Sequence, residues 1–153
     1  MGMDIDNLKL RKATADDSEF AYQTKKAAFR MYADRVCGWD EDEQRQLHKR
    51  RFSAQDFQVI QVGNIDVGIL SLVRQPDCIK VYQLFILPKH QSRGIGAACI
   101  KRVIKVGTAS KLPIQLQVLK VNSRAFMFFQ KFGFRRIGET DIHILMKRIP
   151  DRG

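Results

Sequence analysis

Eight residues, Gln91-Ser92-Arg93-Gly94-Ile95-Gly96-Ala97-Ala98, limit what this chain can fold into more than any others. Before them, Val81-Tyr82-Gln83-Leu84-Phe85-Ile86-Leu87 is almost wholly apolar or β-favouring, a strand pattern that Pro88 ends. After them, Ile100, Val103, Ile104 and Gly107 return at helical spacing, with Lys101, Arg102 and Lys105 turned the other way. The glycines therefore stand where a strand turns into the first turn of a helix. Glycine there opens backbone conformations closed to other residues and lets another molecule come close. The first amides of the helix lack an intrahelical acceptor, and the helix dipole adds partial positive charge. Such a turn is an anion site suited to a pyrophosphate.

Length and composition set the frame around that turn. With 153 residues the chain predicts one domain, 1–153, whose core runs from about residue 8 to residue 148. Hydrophobic residues make up 44% and charged residues 28%, ordinary values for a globular protein. No apolar run reaches the roughly 20 residues that cross a bilayer, so no membrane role is expected. The start, Met1-Gly2-Met3-Asp4-Ile5-Asp6, has neither the basic region nor the apolar core of a secretory leader. Gly2 invites an acylation reading, but Asp6 occupies the position where that motif needs Ser or Thr. Cys37, Cys78 and Cys99 are odd in number and widely spaced, which predicts reduced thiols in a cytoplasmic protein and no metal site. The 27 Lys and Arg against 16 Asp and Glu give a formal charge of +11, which favours polyanionic partners. Solubility alone, a phosphate-rich cofactor and nucleic acid are all consistent with that charge.

Taken in order, Leu8 to Ala13 alternates as a first strand, and Thr14 to Ser18 supplies a turn with helix-capping residues. Phe20, Thr24, Ala27, Ala28 and Met31 then predict the buried face of an amphipathic helix that ends near Gly38. Asp40 and Glu43 fit a capping box for a second helix, running through Leu47 to about Phe52 and strongly basic at His48-Lys49-Arg50-Arg51. Phe57–Val62 and Ile65–Val73 read as strands joined by a Gly63-Asn64 hairpin turn. Pro76-Asp77 turns the chain into the Ile79–Leu87 strand. Beyond the central helix, Pro113 to Leu119 alternates again, and Asn122 opens a short helix with Ala125, Phe128, Phe129 and Phe132 on its apolar face. Gly133 ends it, and Phe134–Gly138 and Ile142–Met146 form a closing strand pair. The class is α+β, one domain with a mixed, mostly antiparallel central sheet flanked by helices.

Three phosphate-binding patterns compete for the glycine turn. A P-loop needs Lys-Ser/Thr after its last glycine, where Ala97-Ala98 stand; a dinucleotide fingerprint needs a third glycine, where Cys99 stands. What remains, Gln91-x-x-Gly94-x-Gly96 after Pro88, resembles the coenzyme A signature of the GNAT superfamily of N-acetyltransferases. Asn122-Ser123-Arg124-Ala125 through Gly133-Phe134 resembles a second block of that family, and the element order matches from about Leu8 to Met146. The resemblance implies acetyl-CoA as cosubstrate, with the amides of Gln91, Ser92, Arg93, Gly94, Ile95, Gly96 and Ala97 around its pyrophosphate. It implies main-chain pairing of Phe85 and Ile86 with the pantetheine arm, and a hydrogen bond from Asn122, which is equally an N-cap. Arg93 offers a charge to a phosphate or to solvent.

The family often carries Tyr at the position of Phe129, where it protonates the leaving thiolate; Phe129 has no proton to give. Tyr82 is the candidate substitute. The base that deprotonates the amine is unassigned, because the Ile79–Leu87 strand offers Lys80, Tyr82 and Gln83 but no carboxylate. Glu139, Asp141 and His143 are candidates, as are Asp40 to Glu43. For the acceptor amine, Tyr32, Trp39, Asp40 and Glu41 are the candidate contacts, since Trp39 beside carboxylates suits a cation; helix capping explains the same acids. The leading expectation is therefore an N-acetyltransferase in which a primary amine attacks acetyl-CoA directly in a ternary complex. The alternatives are a coenzyme A-binding domain with little catalysis and a basic nucleic-acid module. The last is disfavoured because the aromatics read as core faces. The final strand pair offers an edge for a homodimer.

Overall fold

Alternation in the strand runs and the punctuation between them produce one sheet with helices on both faces. The computed structural model describes residues 5–151, so the leader and acylation readings at Met1 to Asp4 lie outside the described residues. The elements are β1 (Leu8–Lys12), α1 (Ser18–Asp34), α2 (Glu41–Ala54), β2 (Asp56–Val62), β3 (Ile65–Arg74) and β4 (Ile79–Ile86). After these come α3 (Ile95–Ser110), β5 (Ile114–Leu119), α4 (Ser123–Lys131), β6 (Arg135–Glu139) and β7 (His143–Arg148). The seven strands stand in the order β1-β2-β3-β4-β5-β7-β6. Among the described residues only the β4–β5 pair is parallel, as its α3 crossover requires. This is the expected α+β, mostly antiparallel class.

The turns do what their residues prescribe. Gly63, with a φ of 62°, and Asn64 close β2 onto β3 with Val62 opposite Ile65. The Asp40 side chain accepts from the Glu43 amide at 3.0 Å and caps α2. Arg11 grips Asp17 with two 2.8 Å hydrogen bonds, and the Thr14 amide donates to the same carboxylate, which fixes how β1 leads into α1. The Arg11 hydrogen bonds pull the Asp17 pKa down to about 2.

One face of the sheet packs on α3 and α4. Ile95, Cys99, Ile100 and Val103 meet Ile60, Val67, Leu70 and Val81 there, with Phe129 and Phe134 closing the end. The other face lies under α1 and α2, where Ala21, Phe57 and Ile69 collect Phe20, Phe52 and Phe85 around them. α1 differs from its sequence reading. Met31 is 65% exposed and Ala27 is exposed, while Ala21, Tyr22, Thr24, Lys25 and Ala33 are buried. The buried stripe is shifted by about one residue because it contains Tyr22 and Lys25, residues that an apolar pattern discounts. Among the described residues no helix is long and apolar enough to cross a membrane.

Candidate active site

Two irregularities of β4 open a site in the middle of the sheet. β4 pairs with β5 only at Ile79–Ile114 and Lys80–Gln115, although both strands continue in the same direction. From Val81 to Ile86 the edge of β4 that faces β5 therefore has no strand on it, and a wedge opens toward the glycine turn. The second irregularity is a bulge. Ser71 pairs with Gln83 and Leu72 with Val81, leaving Tyr82 unpaired. Val81 and Leu84 both belong to the core beneath α3. The two residues between them are thus thrown to the α1/α2 face together, which is how a bulge re-aims side chains.

At the wide end of the wedge, the turn has the geometry its glycines imply. Ser92 and Gly94 both have positive φ, 63° and 80°. The Gln91 side-chain amide donates to the Ile86 carbonyl at 2.9 Å and ties the turn to the end of β4. α3 closes its first hydrogen bond from the Ala98 amide to the Gly94 carbonyl, so the amides before Ala98 are not satisfied within the helix. Gly96 is helical, and a Cβ placed on it would find nothing nearer than Phe128 at 3.7 Å, an ordinary contact. Asn122 caps α4 through the Ala125 amide at 3.0 Å. Arg124, next in that helix, donates to Ser92 Oγ at 3.0 Å and brings a second cation beside the exposed Arg93. Sequence reading passed over Arg124. Phe129 is buried, its ring packed on Phe128 and Phe134.

The remaining candidates fall into two groups. Glu139, Asp141 and His143 lie at the β6–β7 end, and β5 stands between β7 and β4. Glu139 is exposed and ion-paired to Lys120 and Arg136 at 2.7 and 3.0 Å, which holds its pKa below the usual carboxylate range. His143 pairs with Leu119, at the wide end of the wedge, and burial lowers its pKa. Tyr32 and Trp39 sit at and beyond the end of α1. Trp39 Nε1 donates to Glu41 at 2.9 Å, and Lys26 pairs with the same carboxylate at 2.8 Å. Those hydrogen bonds, Lys26 first, draw the Glu41 pKa down to about 2. Asp40 is occupied by its cap and Glu41 by its cation. Tyr82, 44% exposed, shares the α1/α2 face with Gln83.

The arrangement is a wedge between two parallel strands, a cradle of amides at its mouth and a roof of two helices. The family model of the acetyltransferase (GNAT) domain matches residues 21–143, spanning every part of it. The chain belongs to the GNAT acetyltransferase family. It is accordingly an acyltransferase. No curated protein matches the chain. Its GNAT fold is similar to that of an acetyltransferase from Thermus thermophilus, with a TM-score of 0.78 at 19% identity over 97% of this chain and 99% of that one. It is also similar to PaiA N-acetyltransferase from Thermoplasma acidophilum in complex with coenzyme A, with a TM-score of 0.76 at 15% identity over 93% and 98%. A GNAT family acetyltransferase from Elizabethkingia anophelis with acetyl-CoA bound gives a TM-score of 0.71 at 18% identity over 94% and 99%.

Within this GNAT frame, the residues that sequence reading left out of the site are Lys25, Gln44 and Arg51. Lys25 is 5% exposed, and its ammonium donates to Gln44 Oε1 at 3.2 Å. Gln44, His48, Arg51 and Gln55 form an inward stripe at spacings of four, three and four along α2 and its C-cap. That polar periodicity was the available signal. His48, read as part of a basic surface, is buried against Tyr22, Phe52 and Phe57, and burial lowers its pKa.

Proposed function

We propose that the protein is an acetyl-CoA-dependent N-acetyltransferase in which a primary amine attacks the cosubstrate directly within a ternary complex. The observation that carries this reading is Gly96. Its φ is ordinary and its protein surroundings have room for a side chain, so neither backbone strain nor packing accounts for a glycine that costs about 1 kcal/mol against Ala in a helix. Close approach of a ligand to the first turn of α3 accounts for it. Relatives of the same fold that hold coenzyme A and acetyl-CoA support the identity of that ligand.

In this reading the amides of Ser92 to Ala97 receive the pyrophosphate, with Arg93 beside them; the Gln91 amide, expected among them, is instead bonded to the Pro88 carbonyl at 3.2 Å. The edge at Phe85 and Ile86, which no strand covers and where Gln91 already donates to the Ile86 carbonyl, takes the pantetheine arm as an added strand. Asn122 caps α4 and faces the same arm, and Phe129 walls the site from within the core. Acetyl-CoA supplies an acetyl group activated as a thioester; the amine nitrogen bonds its carbonyl carbon, the carbon–sulfur bond breaks, and the thiolate takes up a proton. Tyr82 is the proton donor we assign, since it is exposed on the bulge and Phe129 has no hydroxyl. For the amine's proton His143 is the better of the strand-end candidates. Its imidazole is held neutral by burial, whereas Glu139 is held by two cations.

The test is thermal unfolding with acetyl-CoA, with ATP as polyanion control, followed by amine-dependent thiol release. Acetyl-CoA at 100 times its dissociation constant should stabilise the fold by about 2.7 kcal/mol, with no matching effect of ATP. Tyr82→Phe should keep that midpoint rise and slow turnover by about 10²-fold or more. An equal rise with ATP would reduce the turn to a general anion site. A rise without thiol release for any amine would favour a coenzyme A-binding domain with little catalysis, the alternative that Phe129 raises.

A further inference from the structure

Among the described residues, the sheet face under α1 and α2 holds two cations that no carboxylate answers. Lys25 is a buried residue, its ammonium hydrogen-bonded to the neutral Gln44 and 5.9 Å from the centre of the Phe29 ring. The charge acting on it most is another cation, Arg51. Arg51 is half-buried, which lowers its pKa, and it lies near the Tyr82 phenol and the like-charged Arg50. The adjacent Lys26, by contrast, has Glu41 at 2.8 Å. A buried cation without a counterion is costly enough that it ordinarily pairs or sheds its proton. Burial, with repulsion from Arg51, pushes the Lys25 pKa down to about 8, which still leaves the group mostly charged at neutral pH.

A third polar group beside them is also unanswered. Gln83 is 4% exposed, and neither its Oε1 nor its Nε2 has a partner among the described residues. The surroundings join it to the cations. Tyr82, its neighbour in the bulge, lies near Arg51. Ser71, its cross-strand partner, donates to Gln55 at the end of the helix that carries Arg51. Phe85, two residues along the same face, packs its ring 5.4 Å from Phe29, the ring that the Lys25 ammonium lies over.

We propose that Lys25, Arg51 and Gln83 form an anion pocket in the acceptor site, so that the amine acetylated carries a carboxylate or a phosphate. This rests on the acetyltransferase reading above and narrows its acceptor. An oxyanion supplies the missing counter-charge to both cations at once. Gln83 Nε2 can donate to it while Oε1 remains to accept from the acceptor's amine, so one side chain meets both ends of a short zwitterion. A polyamine would bring further positive charge to a place that already holds two cations.

The experiment compares four short amines by thiol release: O-phosphoethanolamine, β-alanine, n-propylamine and 1,3-diaminopropane. One of the two anionic amines should exceed both others in kcat/KM by about tenfold or more, the ratio given by one charge-assisted hydrogen bond, with the difference residing in KM. The winner of that pair tells phosphate from carboxylate. Lys25→Met and Arg51→Met, which keep an unbranched apolar stem without the charge, should each bring the ratio toward one. A second readout needs no turnover: the favoured anionic amine should raise the thermal midpoint of the wild type and not that of Lys25→Met. Equal or better turnover of n-propylamine or 1,3-diaminopropane would overturn the proposal, as would a midpoint shift that survives Lys25→Met. The two readings fail separately, because the acetyl-CoA midpoint is measured with no amine present.

Discussion

Lys25 ties stability to pH with a definite sign. Its pKa is about 8 in the folded chain against 10.5 for the free side chain. Below pH 8 both states hold the proton and the full burial penalty is present. Between pH 8 and 10.5 the unfolded chain keeps a proton that the folded one has shed, so this group makes stability rise with pH. The Cys99 thiol, pushed up to about 12 by burial, acts in the opposite sense from about pH 9 upward. A comparison of variants separates the two. Lys25→Met should be more stable than the wild type at pH 7 by on the order of 3 kcal/mol, and that advantage should shrink toward about pH 10, as measured by urea midpoints. An advantage independent of pH would mean that the ammonium is not desolvated. Residues of this kind were not legible in the sequence, because whether a lysine is buried depends on elements that pack against it from elsewhere in the chain. Gln91, Gly94 and Asn122 were legible, because each does its work within about five residues of itself.

At the scale of elements, strands and helices followed from local patterns that need no partner to be recognised. Gly63-Asn64, Pro88, Asn122 and Gly133 all stand at real boundaries. What escaped was phase. In β4 the bulge at Tyr82 slips the alternation by one residue, so Gln83 and Phe85 share a face that strict period-two counting from Val81 would deny them. In α1 the inward stripe is half polar, so counting apolar residues placed Phe20 and Thr24 correctly but carried the face too far round to Ala27 and Met31, which are exposed. The first turn of α3 offers a test that divides fold from function. Gly96→Ala should leave the unliganded protein as stable or up to about 1 kcal/mol more stable, since the added Cβ meets only Phe128 at 3.7 Å. The same variant should lose most of the midpoint rise with acetyl-CoA. Destabilisation of the unliganded protein would show that the glycine serves packing, and its weight in the functional reading would pass to Gly94.

Across the whole molecule, charge and topology point the same way. A chain with a formal charge of +11 gathers Lys89, Arg93 and Arg124 around a turn rich in amide donors. The sheet meanwhile keeps strands β1 to β4 paired along their lengths, and β5, β7 and β6 likewise. Two residue pairs on β4 and β5 join these halves. In backbone hydrogen bonds this is a pair of stiff rafts moored at one corner, with the core under α3 laid across both. Such a joint lets amides near the seam exchange with solvent through small hinging motions that leave each raft intact. A strand-like occupant bridging the opening would lash the rafts together. Deuterium uptake along Val81 to Ile86 and Leu116 to Leu119 should then slow on adding acetyl-CoA, while β1 and β2, far from the seam, keep their rates. The occupant would thus be a structural member of the protein for as long as it stays, and each turnover would loosen and refasten the molecule along one line.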